Sequence, residues 1–180
     1  MSKNLAFGFE RADIVTPGAI PVYHQIEGAK ELELNYEMDT VEVEGDDAII
    51  GYWHHNQKGS FTFKGAVIDL DIYAAVTGNT VDKDAGPPAV DELLFGTPSE
   101  LQPVELMFRF KQRAKDKGNS TGRDRYVYVY RAICKIKPAG MSKGNPAEVE
   151  ITGNMLQSTT DEYAEALSEE AFGKQQFIDQ

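Results

Sequence analysis

The sequence predicts a mainly β fold, an antiparallel β-sandwich or partly closed barrel with a short flanking α-helix. Three observations carry that expectation. Apolar residues recur with a period of two over three long stretches, Gly, Pro and Asn punctuate the chain at short intervals, and only two short stretches have helical spacing. A length of 180 residues, 41% of them hydrophobic, allows a single domain with a real core and is too short for two large ones.

The first stretch, MSKNLAFGFERADIV, has scattered apolar residues interrupted by Glu10, Arg11 and Asp13. It reads as neither a signal peptide nor a membrane span, as expected of a protein made in the cytoplasm. Leu32, Leu34, Tyr36 and Met38 then alternate with Glu31, Glu33, Asn35 and Glu37, the pattern of a strand with one wet side. A turn is expected at Asp39-Thr40, with the alternation resuming at Val41-Glu42-Val43-Glu44.

Shorter strands are expected at 48–55, 60–65 and 147–152, each bounded by Gly, Pro or Asn. Leu70, Ile72, Tyr73, Ala75 and Val76 supply a helical apolar surface between Asp69, a capping residue, and Gly78, a favoured stop. Residues 81–97 read as a long irregular connection. Val104, Leu106, Phe108 and Phe110 mark another strand, separated by the polar loop 112–124 from a third at 126–137. In that third strand Tyr126, Tyr128, Tyr130, Ala132, Cys134 and Ile136 should share one face, so Cys134 should pack as a small apolar residue. A second helix is expected from Ser158 to Leu167, where Thr159 and Glu162 stand at capping-box spacing.

The net charge of −11 excludes a general nucleic-acid binder, because affinity for phosphates needs a basic surface. The charge is also blocked. Residues 31–47 hold eight acids and no base, 109–143 hold eleven bases and two acids, and 144–180 hold eight acids against Lys174. Opposed blocks on one small domain suit self-association. The basic face, with Arg113, Lys115 and Lys117, is a candidate assembly surface.

Chemistry finds little support. One cysteine excludes a disulfide framework within the chain, and adjacent strand residues His54 and His55 point to opposite faces, so they cannot share a metal without a bend. No nucleophile elbow, phosphate loop or dinucleotide fingerprint is present. The expectation is a protein that is not an enzyme and uses no metal or cofactor. Tyr52 and Trp53 on a hairpin are either core aromatics or a docking element for another protein.

The order of Val43-Glu44-Gly45-Asp46-Asp47, then Gly59-Ser60-Phe61-Thr62-Phe63-Lys64-Gly65, then the 68–78 segment ending in Ala74-Ala75-Val76-Thr77-Gly78 resembles the major tail tube proteins of long-tailed bacteriophages. The strands at 103–110 and 125–136 continue the resemblance, which spans about residues 20–155. It implies a virion tail protein whose subunits form hexameric rings stacked into a hollow tube, through which DNA passes without specific binding. It implies tape-measure, tail-tip initiator and tail-terminator proteins as partners beside the chain itself, and no membrane anchor. The hairpin at 43–58, with Glu44, Asp46, Asp47, Trp53, His54 and His55, matches the family's inter-ring element, and the resemblance also implies an N-terminal arm over about residues 1–18 and a C-terminal arm over about 156–180. Glu31, Glu33, Glu37, Glu148 and Glu150 are candidates for lining the channel, where an acidic surface would not retain phosphates. Two other readings stand beside this one, a carbohydrate-binding or adhesive β-sandwich module, and the tube of a contractile tail or secretion machine.

Overall fold

A computed structural model describes residues 5–44, 49–66, 70–84, 86, 90–94, 102–115, 123–137 and 148–179. The first strand, β1 (Leu5–Thr16), pairs with β2 (Val22–Ile26). A long antiparallel pair follows, β3 (Ala29–Glu44) and β4 (Ile49–Gly65), then the helix α1 (Leu70–Thr77). Residues Asp82–Asp84 (β5) and Val90–Glu92 (β6) make a small hairpin inside the connection read as irregular. Then come β7 (Glu105–Lys115), β8 (Arg123–Lys137), β9 (Val149–Leu156), β10 (Ser158–Thr160), β11 (Ala166–Ala171) and β12 (Gly173–Asp179).

The main sheet is antiparallel, in the order β2-β1-β7-β8-β9-β4-β3, with β12 also on β8. It is curled. β4 stands three strands from β7, about 14 Å along a flat sheet, yet the Phe61 ring centroid lies 5.0 Å from that of Phe108 and 5.5 Å from that of Phe110. Phe9 of β1 meets Phe63 edge-on at 5.8 Å. The fold is therefore mainly β with one short helix, as the periodicity predicts, but it closes no barrel: among the described strands β2 and β3 remain free edges.

The core inside the curl holds Ala12, Ile14, Phe61, Phe63, Phe108, Phe110, Val129 and Ile151, covered by Ile72 and Val76 of α1. The helix ends where the sequence places its stop, with Gly78 left-handed at φ 75°; the capping residue Asp69 lies outside the described residues. Cys134 packs against this core, and burial pushes its thiol up to about 12. A second cluster, Val15, Met107, Tyr128 and Tyr130, lies on the other side of the sheet under Leu167 and Ala171.

Five expectations need correction. The stretch 5–16 is a strand between β2 and β7, with Ala12, Asp13, Ile14 and Val15 all buried, rather than an arm. No turn interrupts β3 at Asp39-Thr40, and the two short strands expected at 48–55 and 60–65 are one. The irregularity sits on β4: Glu37 pairs with Lys58 and Asp39 with His55, so β4 holds an extra residue, accommodated by Asn56 at φ 50°.

The tyrosine-rich strand does not keep one face throughout. Val127 and Val129 join Ala132, Cys134 and Ile136 at the main core, whereas Tyr126, Tyr128 and Tyr130 belong to the second cluster. Leu106 pairs with Ala132 but Phe108 with Val129, so β8 carries a bulge that shifts the side-chain phase by one. Finally, 158–167 is strand, turn and strand instead of helix. The Asp161 carboxylate accepts the N–H groups of Tyr163 and Glu165 at 2.9 and 3.0 Å, and Ala164 turns left-handed at φ 60°. Glu162 points inward instead of capping.

Candidate assembly surface

The outward face of β3, β4, β9 and β8 gathers the channel-lining candidates. Register alone places them: Glu31 opposite Lys64, Lys64 opposite Glu150, and Glu150 opposite Lys137 make one row of alternating charge. The next row runs Glu33, Thr62, Thr152, Lys135, and Glu37 stands opposite Lys58. Lys64 bonds Glu31 at 2.9 Å, and that carboxylate holds the ammonium above its usual value. At the margin Lys30 bonds Glu148 at 2.6 Å and pulls its carboxyl below the usual range.

Glu31, Glu33, Glu37 and Glu150 thus share one polar face of the sheet. Sequence reasoning misses the lysines between them. Glu31, Glu33, Glu37 and Glu150 are matched by Lys58, Lys64, Lys135 and Lys137, so the face is polar and charge-alternating rather than acidic. Cross-strand spacing of this kind requires knowing the register, which the one-dimensional pattern does not contain.

Beyond the last β4–β9 pair, Gly59 with Met155, the ribbon β3–β4 continues. Among the described strands the segments 39–44 and 49–55 pair with each other and with no third strand, a two-stranded arm projecting about 20 Å at roughly 3.3 Å per residue. Glu44, Trp53, His54 and His55 lie on this arm's backbone; Asp46 and Asp47, at its tip, lie outside the described residues.

The core-facing side of β3 also runs past the core. Leu34, Tyr36 and Met38 are 36%, 54% and 45% exposed. With Val127, Met155 and Phe172, Leu34 and Tyr36 line an open groove of about 400 Å³, where Tyr36 meets Phe172 edge-on at 5.7 Å. The alternation identified these residues as apolar but not as uncovered.

Among the described residues, four of the basic block's eleven bases are engaged in ion pairs within the chain. Arg109 donates to Asp13 from Nε and Nη2 at 2.9 and 2.8 Å and lies 3.5 Å over the Tyr23 ring. Lys111 pairs with Asp124 at 2.9 Å and Glu10 at 3.3 Å, Arg113 with Glu10 at 3.6 Å, and Arg131 with Glu105 at 2.7 Å. Arg113 is thus exposed but partnered. Lys115 ends β7, and Lys117 lies outside the described residues.

Among the described residues no group of three or more His, Cys, Asp or Glu side chains could hold a metal, and no helix is long and apolar enough to cross a membrane. Comparison with protein-family models finds no match, and no curated protein matches the chain.

Proposed function

We propose that this chain is a structural subunit that polymerises into a hollow tube, the tail tube of a long-tailed bacteriophage, in which hexameric rings stack and DNA passes through the lumen. The observation that carries the reading is the β3–β4 ribbon, which runs beyond the sheet with no third strand paired to it among the described strands. A two-stranded ribbon alone is marginal in water, so an extended one is expected to order fully against another molecule. β3 adds a long free edge of the kind monomeric proteins normally block. Pairing it with a neighbour around a ring removes the exposed edge, and head-to-tail stacking propagates a filament.

The charge-alternating face suits a channel wall. Lys58, Lys64 and Lys137 stand directly opposite Glu37, Glu31 and Glu150, so a passing phosphate meets little uncompensated positive charge there and releases few counterions. The adhesive-module reading, whose platform would be Tyr52, Trp53 and the tyrosine-rich strand, has less support: Tyr128 and Tyr130 of that strand are buried, and the Lys174 ammonium stands 4.8 Å over the Tyr128 ring.

Electron microscopy of the purified protein across a concentration series tests the proposal. Six-fold rings or tubes are expected. A monomer that persists at every concentration refutes it.

A further inference from the structure

One edge of β8 is divided between two strands. Residues 131–137 pair with β9, and residues 123–129 pair with β12. β12 gains little from burying its own side chains, since Gln175, Gln176, Phe177 and Ile178 are all exposed. Its seat consists of the backbone ladder, the ion pair between Lys174 and the buried Glu162, the Lys174 ammonium 4.8 Å over the Tyr128 ring, a hydrogen bond from Arg125 to Gln175 at 2.9 Å, and a close approach at Gly173, where a Cβ would stand 1.8 Å from the Tyr128 carbonyl oxygen. Two buried atoms at this seat lack a hydrogen-bond partner among the described residues: Glu162 Oε2 and Arg125 Nε. Unpaired buried polar atoms are costly, and a seat that leaves two of them is weaker than it could be.

A better-matched strand exists in the same sequence. β3 carries six acids and one base across Ala29–Glu44 and has a free edge. The covered half of β8 carries Arg123 and Arg125, while its Asp124 is neutralised by Lys111 at 2.9 Å. β12, GKQQFID, has one Lys and one Asp and brings no net charge. An acidic strand complements that edge and offers acceptors to Arg125, which now uses the side-chain amides of Gln112 and Gln175.

We propose that Ser158–Asp179 is a strap whose last strand, β12, reversibly caps β8, and that its release opens β8 to pairing with the acidic edge β3 of a second copy of this chain. The inference rests on the polymerisation reading and adds its control: the subunit hides the receiving edge until the strap leaves. Departure of Phe172 also uncovers Tyr36 and opens the apolar groove beside β3.

Three forms of the full chain test this. Gly173→Val drives a side chain into the Tyr128 carbonyl and should unseat β12; Lys174→Met, which removes the ion pair, serves as a second releasing variant. Val127→Cys with Gln175→Cys joins directly paired residues whose spacing permits a disulfide, so oxidation locks the strap and reduction frees it. Hydrogen exchange at residues 123–129 reports release, exchange at 59–65 and 149–155 reports that the sheet is intact, and sedimentation reports association.

Release is expected to speed exchange at 123–129 by about tenfold or more, leave the sheet unchanged and lower the concentration of half-association about tenfold. The oxidised pair should associate more weakly than the reduced one. Faster exchange with unchanged or weaker association overturns the strap, as does an oxidised pair that associates like the reduced form. Rings or tubes indifferent to both changes sink the strap alone. Release-dependent association without any ring sinks the tube alone, and absence of association in every form sinks both.

Discussion

Gly153→Ala is the sharpest probe of the curled sheet. Gly153 lies on β9 between Phe61 of β4 and Cys134 of β8. A Cβ there would stand 2.3 Å from Phe61 Cε1, 2.6 Å from its Cζ and 3.0 Å from Cys134 Sγ. Ordinary contact requires the ring to retreat by about 1 Å. It has no free direction, being 1% exposed and packed on Phe108 and Phe110 at 5.0 and 5.5 Å. Overpacking of this kind costs roughly 1–3 kcal/mol, offset by about 0.5–1 kcal/mol from the lost flexibility of glycine in the unfolded chain. A net loss of about 1–2 kcal/mol is expected, a fall in Tm of roughly 2–8 °C for a domain of this size. Urea denaturation of Gly153→Ala, Phe61→Leu and the double variant forms the assay. Because a leucine side chain in place of the Phe61 ring leaves room for the methyl, the double variant should lose about 1 kcal/mol less than the sum of the singles. Strict additivity, or a Gly153→Ala protein as stable as the parent, would refute the packing of β4 over β7 that the curl requires.

Other consequences follow from the same interactions. Asp13→Ala leaves the part-buried Arg109 without its carboxylate and should cost about 3–5 kcal/mol in denaturant unfolding, while Asp13→Leu with Arg109→Met should recover most of the loss. With its thiol pushed to about 12 against an ordinary 9.0, Cys134 should carry about a thousandfold less thiolate than an unfolded cysteine at pH 8. Its labelling by a thiol reagent should therefore be slow in the native protein and fast in denaturant. The Arg131 hydrogen bond holds Glu105 below the usual 4.5, so its stabilising contribution is present above the unfolded value and lost as pH falls through the lowered folded one. Arg131→Gln should move the Glu105 midpoint, followed by NMR, back toward 4.5.

What the sequence made legible was local. Alternation over 31–38 and 104–110 identified strands because each has one apolar side, and Gly78 marked the helix end because a left-handed residue is needed there. The failures arise where a distant partner decides. The bulge in β8 reassigns Tyr126, Tyr128 and Tyr130 to the second cluster, and nothing within that strand announces it. The 5–16 stretch reads as interrupted because Arg11 and Asp13 look exposed in one dimension; in the fold Asp13 is buried against Arg109, 96 positions away. At Glu162 the capping-box spacing is present, yet burial beside Lys174 overrides it. The candidate surface follows the same rule, its acids readable and its matching lysines dependent on register.

The distribution of ion pairs limits how two copies can meet. Arg109, Lys111, Arg113 and Arg131 pair with Asp13, Asp124, Glu10 and Glu105, all of which lie outside the two acidic stretches 31–47 and 144–180. With six acids and one base, β3 keeps a surplus of negative charge even after Lys64 and Lys58 are set against Glu31 and Glu37. Two β3 edges brought together by a two-fold axis would place like charges opposite one another, which is destabilising. A contact through β3 should then be heterologous, joining it to a different part of the next copy, and such contacts either close into rings or extend as filaments. Salt separates the alternatives. Screening acts over about 8 Å at physiological ionic strength and weakens attraction between opposed charges, so heterologous association should weaken as salt rises from low values to about 0.5 M. Sedimentation over that range tests the argument, and association that strengthens steadily with salt would point instead to a two-fold dimer formed by suppressing β3–β3 repulsion.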